Sequence, residues 1–417
     1  MSKSFSKFYT QLPFDQLTFY GALMFCIGIV FQEVTKIPLT LGMSFMTFIW
    51  LIRPNHKHKW LSVFSNKLCF FLLLLYLLWL VSGFWSDDMQ SFRRLIQLKI
   101  SVLLALLTWS STRLTIRQLH SILYVFLLAV FIHLSIDLAF HHFREIHVHD
   151  FSTVSKNHKH YIGLYTLFSL GISLYFSSLS TSKKQHLFWL TLILFFSFAL
   201  VQISSRIHLL GAGILILFWV YKQFKSNSLS HKNIIISMLS LLILSFVALK
   251  YSSRLQFKVQ ETKDEISRLF SSEDNKNTNP RVYIWPAALK AIANQPFGYG
   301  LGDAQAELNV LTDQIEVQFW IDNKNTLLKD KNINSHSQYL EIILQIGFIG
   351  LILFLLAVLY GFKSKQEIYL IFLICLLVSM STESIFERQF GLVFFSFFFP
   401  MLGQNIKTKK QKLISEN

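Results

Sequence analysis

Charge is thin in this chain, acidic residues are few and cysteine is nearly absent. Charged residues make up 15% of the 417 positions, where ordinary soluble domains hold about a quarter. That shortage excludes a water-soluble globular domain. The 3 cysteines, Cys26, Cys69 and Cys375, each fall inside an apolar run, which excludes a disulfide framework and any Cys-x-x-Cys metal site. No small-x-small cleavage site closes the first apolar run near Gln32 or Glu33, although Lys3 and Lys7 precede it. The run therefore reads as a retained first helix rather than a removed signal peptide.

What the chain has instead is apolar length. Hydrophobic residues reach 53% and the mean hydropathy is +0.45. A spanning helix needs about 20 mainly apolar residues, because lipid offers no partner to backbone N–H and C=O groups. Such runs fall near 17–35, 39–52, 68–85, 95–110, 119–140, 161–180, 187–203, 207–223, 233–251, 338–361, 367–381 and 390–405. The expected fold is therefore all-α and polytopic, with about 12 transmembrane helices. An even count places both termini on one side.

Lysine and arginine fix the side. Lys3, Lys7, Arg53, Lys57, Lys59, Lys67, Arg113, Arg117, Lys183, Lys184, Lys222, Lys225, Lys232, Lys363, Lys365 and the tail from Lys407 to Lys412 fall in alternate connections, which are assigned to the cytoplasm. The opposite connections carry the acidic turn at Asp87 and Asp88, the His-rich stretch 141–160, the turn at Arg206, residues 252–337 and the loop 381–389. The net charge of +16 is thereby explained by topology and anionic lipid, so the lipid bilayer is a partner and nucleic acid is not. The chain divides into transmembrane helices over 1–251, a long outer loop over 252–337, further transmembrane helices over 338–405 and a basic cytoplasmic tail over 406–417. Loops as long as 252–337 are usually functional. Within it Arg281 to Asn294 reads as a helix, closed by Pro296 and the glycines of Phe297-Gly298-Tyr299-Gly300-Leu301-Gly302-Asp303.

Three outward residues are candidates for chemistry. His336 stands in Asn334-Ser335-His336-Ser337-Gln338-Tyr339-Leu340-Glu341, where the outer loop enters an apolar run. The plain alternative is a helix entry, with Ser335 as cap and Glu341 near the positive helix end. Arg206 occupies a tight turn between two apolar helices, where snorkelling to headgroups is the alternative to function. Arg281 opens a helix, an unfavourable place for a cation unless an anion is near. Two guanidinium forks can hold a diphosphate while an imidazole takes a proton from an attacking hydroxyl. No Asp-x-Asp or His-Glu-x-x-His pattern is present, so arginine would replace the divalent ion that many sugar transferases use. Arg93, Arg94 and Lys99, at the outer start of the fourth run, are second candidates for a lipid phosphate. His133, Asp137 and His141 share a helix face and His142, His147, His149, His158 and His160 follow, yet this generic spacing is not assigned a metal.

Several patches, in order along the chain, resemble the O-antigen ligase and O-antigen polymerase superfamily of bacterial membrane enzymes. They are Ser82-Gly83-Phe84-Trp85-Ser86-Asp87, Ser205-Arg206, Arg281 with Trp285 and Pro296 to Gly300, Ser335 to Glu341 with Gly347 and Gly350, and Glu383 to Gly391. Tyr339, Glu387 and Arg388 lie within them and join the second candidates. Ser337 departs from the family pattern, which more often has asparagine after the histidine. The resemblance implies glycan transfer from undecaprenyl diphosphate to an acceptor hydroxyl, inverting, without metal, cofactor or nucleotide sugar, at the periplasmic face of the inner membrane. It implies that Arg206 and Arg281 neutralise the leaving diphosphate and that His336 is the general base. The expected activity is an O-antigen ligase with a lipid A core sugar as acceptor; a polymerase or a protein O-oligosaccharyltransferase shares the motifs. A secondary transporter would instead favour paired charges at mid-membrane and inverted repeats.

Overall fold

The computed structural model describes residues 12–54, 56–143, 159–225, 281–314, 334–364 and 366–404, with isolated helical positions at 256, 260 and 263. All regular structure among these residues is helical. The order is α1 (Phe14–Phe31), α2 (Ile37–Ile52), α3 (His56–Ser65), α4 (Lys67–Val81), α5 (Met89–Ser111), α6 (Ile116–Phe143) and α7 (Lys159–Leu179). Then come α8 (Lys183–Ile203), α9 (Arg206–Lys225), α10 (Arg281–Asn294), α11 (Ala304–Gln314), α12 (Gln338–Gly361), α13 (Glu367–Met380) and α14 (Gln389–Leu402).

Among the described residues 7 helices are long and apolar enough to cross a membrane, or 8 if α2 and α3, bent by 117° to each other, form one broken span. The expected twelve are thus not established. The run 233–251 lies outside the described residues. Helix α5 carries Arg93, Arg94 and Lys99 in its first half, and α13 and α14 have 14 residues each. Fourteen residues rise about 21 Å, short of a hydrocarbon layer of about 30 Å.

The short helices are stable because protein surrounds them. Every residue of α14 from Gly391 to Leu402 is buried, as expected of a helix apolar all round. Its rings meet Phe126 of α6, Phe168 of α7, Phe372 of α13 and Phe354 of α12 at centroid distances of 5.0, 5.1, 5.4 and 6.2 Å. Aromatic pairs of this kind contribute about 0.5–1.5 kcal/mol each beyond area burial. Helix α7 is the second inner element, buried without interruption from His160 to Phe176.

Helix α12 is broken, and the break positions the segment 296–303. Ile346 (φ −136°, ψ 19°) and Gly347 (φ 69°, ψ −174°) leave the helical conformation. The freed carbonyls of Leu344 and Gln345 accept the N–H groups of Tyr299 and Gly300 at 2.8 and 3.0 Å, and Phe348 N–H donates to the Pro296 carbonyl at 3.3 Å. A Cβ on Gly298 (φ 85°) would lie 2.6 Å from Gly347 N, so backbone meets backbone here and only glycine fits. The same segment binds the end of α4. Leu301 N–H donates to Ser82 Oγ and Gly302 N–H to Ser86 Oγ, both at 3.1 Å, while the Asp303 carboxylate accepts Asp87 and Asp88 N–H at 2.7 and 2.8 Å. Three separated sequence patches therefore form one clasp.

Candidate functional site

The helix expected from Arg281 to Asn294 is present as α10, and it delivers two side chains to one place. Arg281 Nη2 donates to the Thr382 carbonyl at 2.8 Å, and Trp285 Nε1 donates to the Ser335 carbonyl at 3.1 Å. Thr382 precedes Glu383, whose carboxylate lies 3.4 Å from His336 Nδ1. Arginine, histidine and carboxylate thus converge on the connection between α13 and α14.

The His336 backbone is held in the left-handed region at φ 47°, which costs energy for a residue with a Cβ. Its neighbours over-determine that conformation. Ser335 is fully buried and gives both its N–H and its hydroxyl to Glu341 Oε2, at 3.0 and 2.7 Å. His336 N–H donates to Asn334 Oδ1 at 3.1 Å. The plain helix-entry reading differs in detail: the cap position is Ser337, with no side-chain capping bond, and Ser335 turns toward the carboxylate. The imidazole itself stays partly open, with 31% of its side chain exposed.

Arg206 arrives through a tight reversal. Ser204 closes α8 at φ 56°, and Arg206, exposed, is the first residue of α9. The start of α9 is fastened by His208, fully buried, with Nδ1 2.7 Å from Ser205 Oγ and Nε2 3.2 Å from Ser379 Oγ of α13. Its ring lies 4.6 Å from that of His160 on α7. The turn of Arg206 is thereby tied to the helix that leads into Thr382 and Glu383.

The second candidates separate into two groups. Lys99 is fully buried and already engaged, with Nζ 2.9 Å from Glu387 Oε1, 3.4 Å from the Phe386 carbonyl and 4.7 Å above the Trp79 ring. A buried cation needs such partners. Tyr339 gives its hydroxyl to the Leu377 carbonyl at 3.0 Å, a contact between helices. Arg94, Glu387 and Arg388, by contrast, line a cavity of about 770 Å³ between α5, α11, α12 and α14. Asn334, Glu341 and Gln345 lie in the same wall, whereas Arg206, Arg281 and His336 do not. Arg93 is exposed on α5 outside it. At the cavity edge Asp88 caps α5, and the Ser91 N–H and side chain hold its carboxyl below the usual carboxylate range.

Glu383 and His208 are the residues that sequence reasoning leaves without a role, although both fall inside conspicuous stretches. Nothing local marks their tertiary roles, because Glu383 meets His336 47 positions away and His208 meets Ser379 171 positions away. His133 Nδ1 pairs with Asp137 Oδ2 at 3.3 Å within α6. His147, His149 and His158 lie outside the described residues, as does most of the loop 252–337.

A family model described as O-antigen ligase matches residues 190–355 of this chain. The match bears out the resemblance to the O-antigen ligase and polymerase superfamily, and it spans Arg206, Arg281 and His336. It indicates a membrane enzyme of the glycosyl-transfer type. Among curated proteins none matches the chain.

Proposed function

We propose that the chain is an O-antigen ligase, which transfers polysaccharide from undecaprenyl diphosphate to a lipid A core sugar hydroxyl at the periplasmic face of the inner membrane. The observation that carries this reading is His336, fixed in a left-handed turn with Nδ1 on the Glu383 carboxylate, beside the Thr382 carbonyl that holds Arg281. A carboxylate on Nδ1 favours the proton there and leaves Nε2 to accept one. His336 Nε2 takes the acceptor hydroxyl's proton as that oxygen attacks the anomeric carbon. The bond from that carbon to the diphosphate oxygen breaks, its electron pair leaves with the lipid diphosphate, and the anomeric centre inverts.

Arg206 and Arg281 bind the diphosphate and offset the charge that develops on it, since guanidinium matches phosphate oxygens bidentately. Glu383 is a positioning residue in this scheme. The donor arginines supply the charge that a divalent ion supplies in other transferases, so purified protein should keep its activity after thorough chelation. The polymerase reading uses the same residues and a different acceptor. A deletion strain separates the two: loss of a ligase leaves long polymer on its lipid carrier, and loss of a polymerase leaves single repeat units. Normally capped lipopolysaccharide in that strain would end the ligase reading.

A further inference from the structure

The segments that supply the proposed site lie far apart in the chain, and one buried side chain joins them. We infer that His208 is a positioning residue, which sets the separation of Arg206 and Arg281 so that the two guanidiniums match a diphosphate better than a single phosphate. The inference rests on the glycan-transfer reading above, in which those arginines hold the donor.

A chain of hydrogen bonds runs from one arginine to the other. Arg206 follows Ser205, whose hydroxyl lies 2.7 Å from His208 Nδ1. The second ring nitrogen, Nε2, lies 3.2 Å from the hydroxyl of Ser379 on α13. The Ser379 carbonyl accepts the Thr382 N–H at 3.3 Å, and the Thr382 carbonyl accepts Arg281 Nη2 at 2.8 Å. In a neutral imidazole one nitrogen donates and the other accepts, and a serine hydroxyl can meet either, so both contacts are satisfied together. The imidazole is the rigid link that carries this chain from α9 to α13.

The surroundings are shaped to that ring. His208 is fully buried, and a Cβ on Gly163 of α7 would lie 2.5 Å from its Nδ1, so the missing side chain opens the slot in which the ring lies. Just beyond it, a Cβ on Gly211 would lie 2.7 Å from Leu167 of α7 and 3.4 Å from Val378 of α13, which brings α9 close to both helices. An apolar ring would fill the same slot without polar atoms to satisfy, whereas a buried imidazole costs free energy unless both nitrogens are bonded. Packing alone therefore does not call for histidine; a satisfied buried network that fixes one geometry does. The turn it secures is strained, with Ser204 at φ 56°, and such a conformation persists only where its neighbours over-determine it. Being fully buried, His208 acts through Arg206 and not on the substrate. Its leverage is geometric, because two forks grip two phosphoryl groups together only at the right spacing, and a misplacement of about 1 Å can cost about 100-fold.

The test compares undecaprenyl diphosphate with undecaprenyl phosphate as inhibitors of transfer by the full chain in proteoliposomes. Wild type should prefer the diphosphate. His208→Phe keeps a ring in the slot and removes both hydrogen bonds; it should cut that preference about tenfold, the scale of two lost hydrogen bonds, and raise the donor KM while the acceptor KM holds. His208→Gln, whose amide both donates and accepts, should restore part of the preference. Ser379→Ala leaves the ring in place and should reduce the preference about threefold, and it carries the test if His208→Phe does not fold. On an Arg206→Ala background His208→Phe should change the preference no further, whereas a merely structural lesion would add in full. Undiminished preference in folded His208→Phe and in Ser379→Ala, or an equal loss on the Arg206→Ala background, overturns the inference. The arginine variants separate the failures. If Arg206→Ala and Arg281→Ala lose the preference while His208→Phe and Ser379→Ala keep it, only the positioning role falls. If wild type has no preference, or the arginine variants inhibit like wild type, the diphosphate reading falls with it.

Discussion

On the flank of the His336 turn that meets α10 and the end of α13, side chains are bound to one another. Glu341 holds Ser335, Trp285 holds its carbonyl, Glu383 holds the imidazole and Thr382 holds Arg281. On the flank that meets α5, α11 and α14, the guanidiniums of Arg94 and Arg388 stand exposed, and Gln345 Oε1 and Gln305 Nε2, like Thr382 Oγ1 on the first flank, are buried with no hydrogen-bond partner among the described residues. In the proposed mechanism the first flank holds groups fixed before reaction, which need no reorganisation when charge develops, whereas the second leaves its guanidiniums open at a cavity. Glu341 belongs to both, since it lines the cavity and fixes the turn.

Substitutions on the fixed flank should act mainly on turnover. Arg281→Ala is expected to lower transfer about 100- to 1,000-fold, as loss of one preorganised charge donor does. Arg281→Lys should recover only part of it, since an ammonium cannot fork, and full recovery would break the contrast. Glu341→Gln, at the boundary, should lower kcat and raise the acceptor KM together, about tenfold overall, because a neutral amide weakens two charge-assisted bonds to Ser335. An effect on donor KM alone would place Glu341 elsewhere. Lys99→Met leaves Glu387, half-buried at the cavity, without its cation and should destabilise the protein by about 3 kcal/mol, the lower end for breaking a buried pair, read as a lowered unfolding temperature in detergent. The smallest effect belongs to the clasp: Ser86→Ala removes one acceptor and should cost about 1 kcal/mol, with transfer nearly unchanged at moderate temperature.

Much of the helical framework is legible in the sequence because an uncharged apolar run of membrane length has no stable place in water, and α10 is legible from the Pro and Gly that end it. The count of spans is not. A 14-residue helix such as α14 survives only through the rings of α6, α7, α12 and α13, and no local signal shows those neighbours. Gly347 and Gly298 are visible as letters, but their shared role, two backbones in contact, requires the fold. Likewise His336 stands out as a histidine at a membrane entry, whereas Glu383, 47 positions away, looks in sequence like any solvated loop charge. Lys99 reads in sequence as a charge seeking a ligand, and the structure gives it Glu387 instead.

The most direct test is transfer by purified protein in proteoliposomes from an undecaprenyl-diphosphate-linked glycan to lipid A core, comparing wild type with His336→Ala at equal protein. Loss of the general base should lower the rate about 100- to 10,000-fold while donor binding persists. A His336→Ala protein that transfers glycan at nearly the wild-type rate would contradict the account.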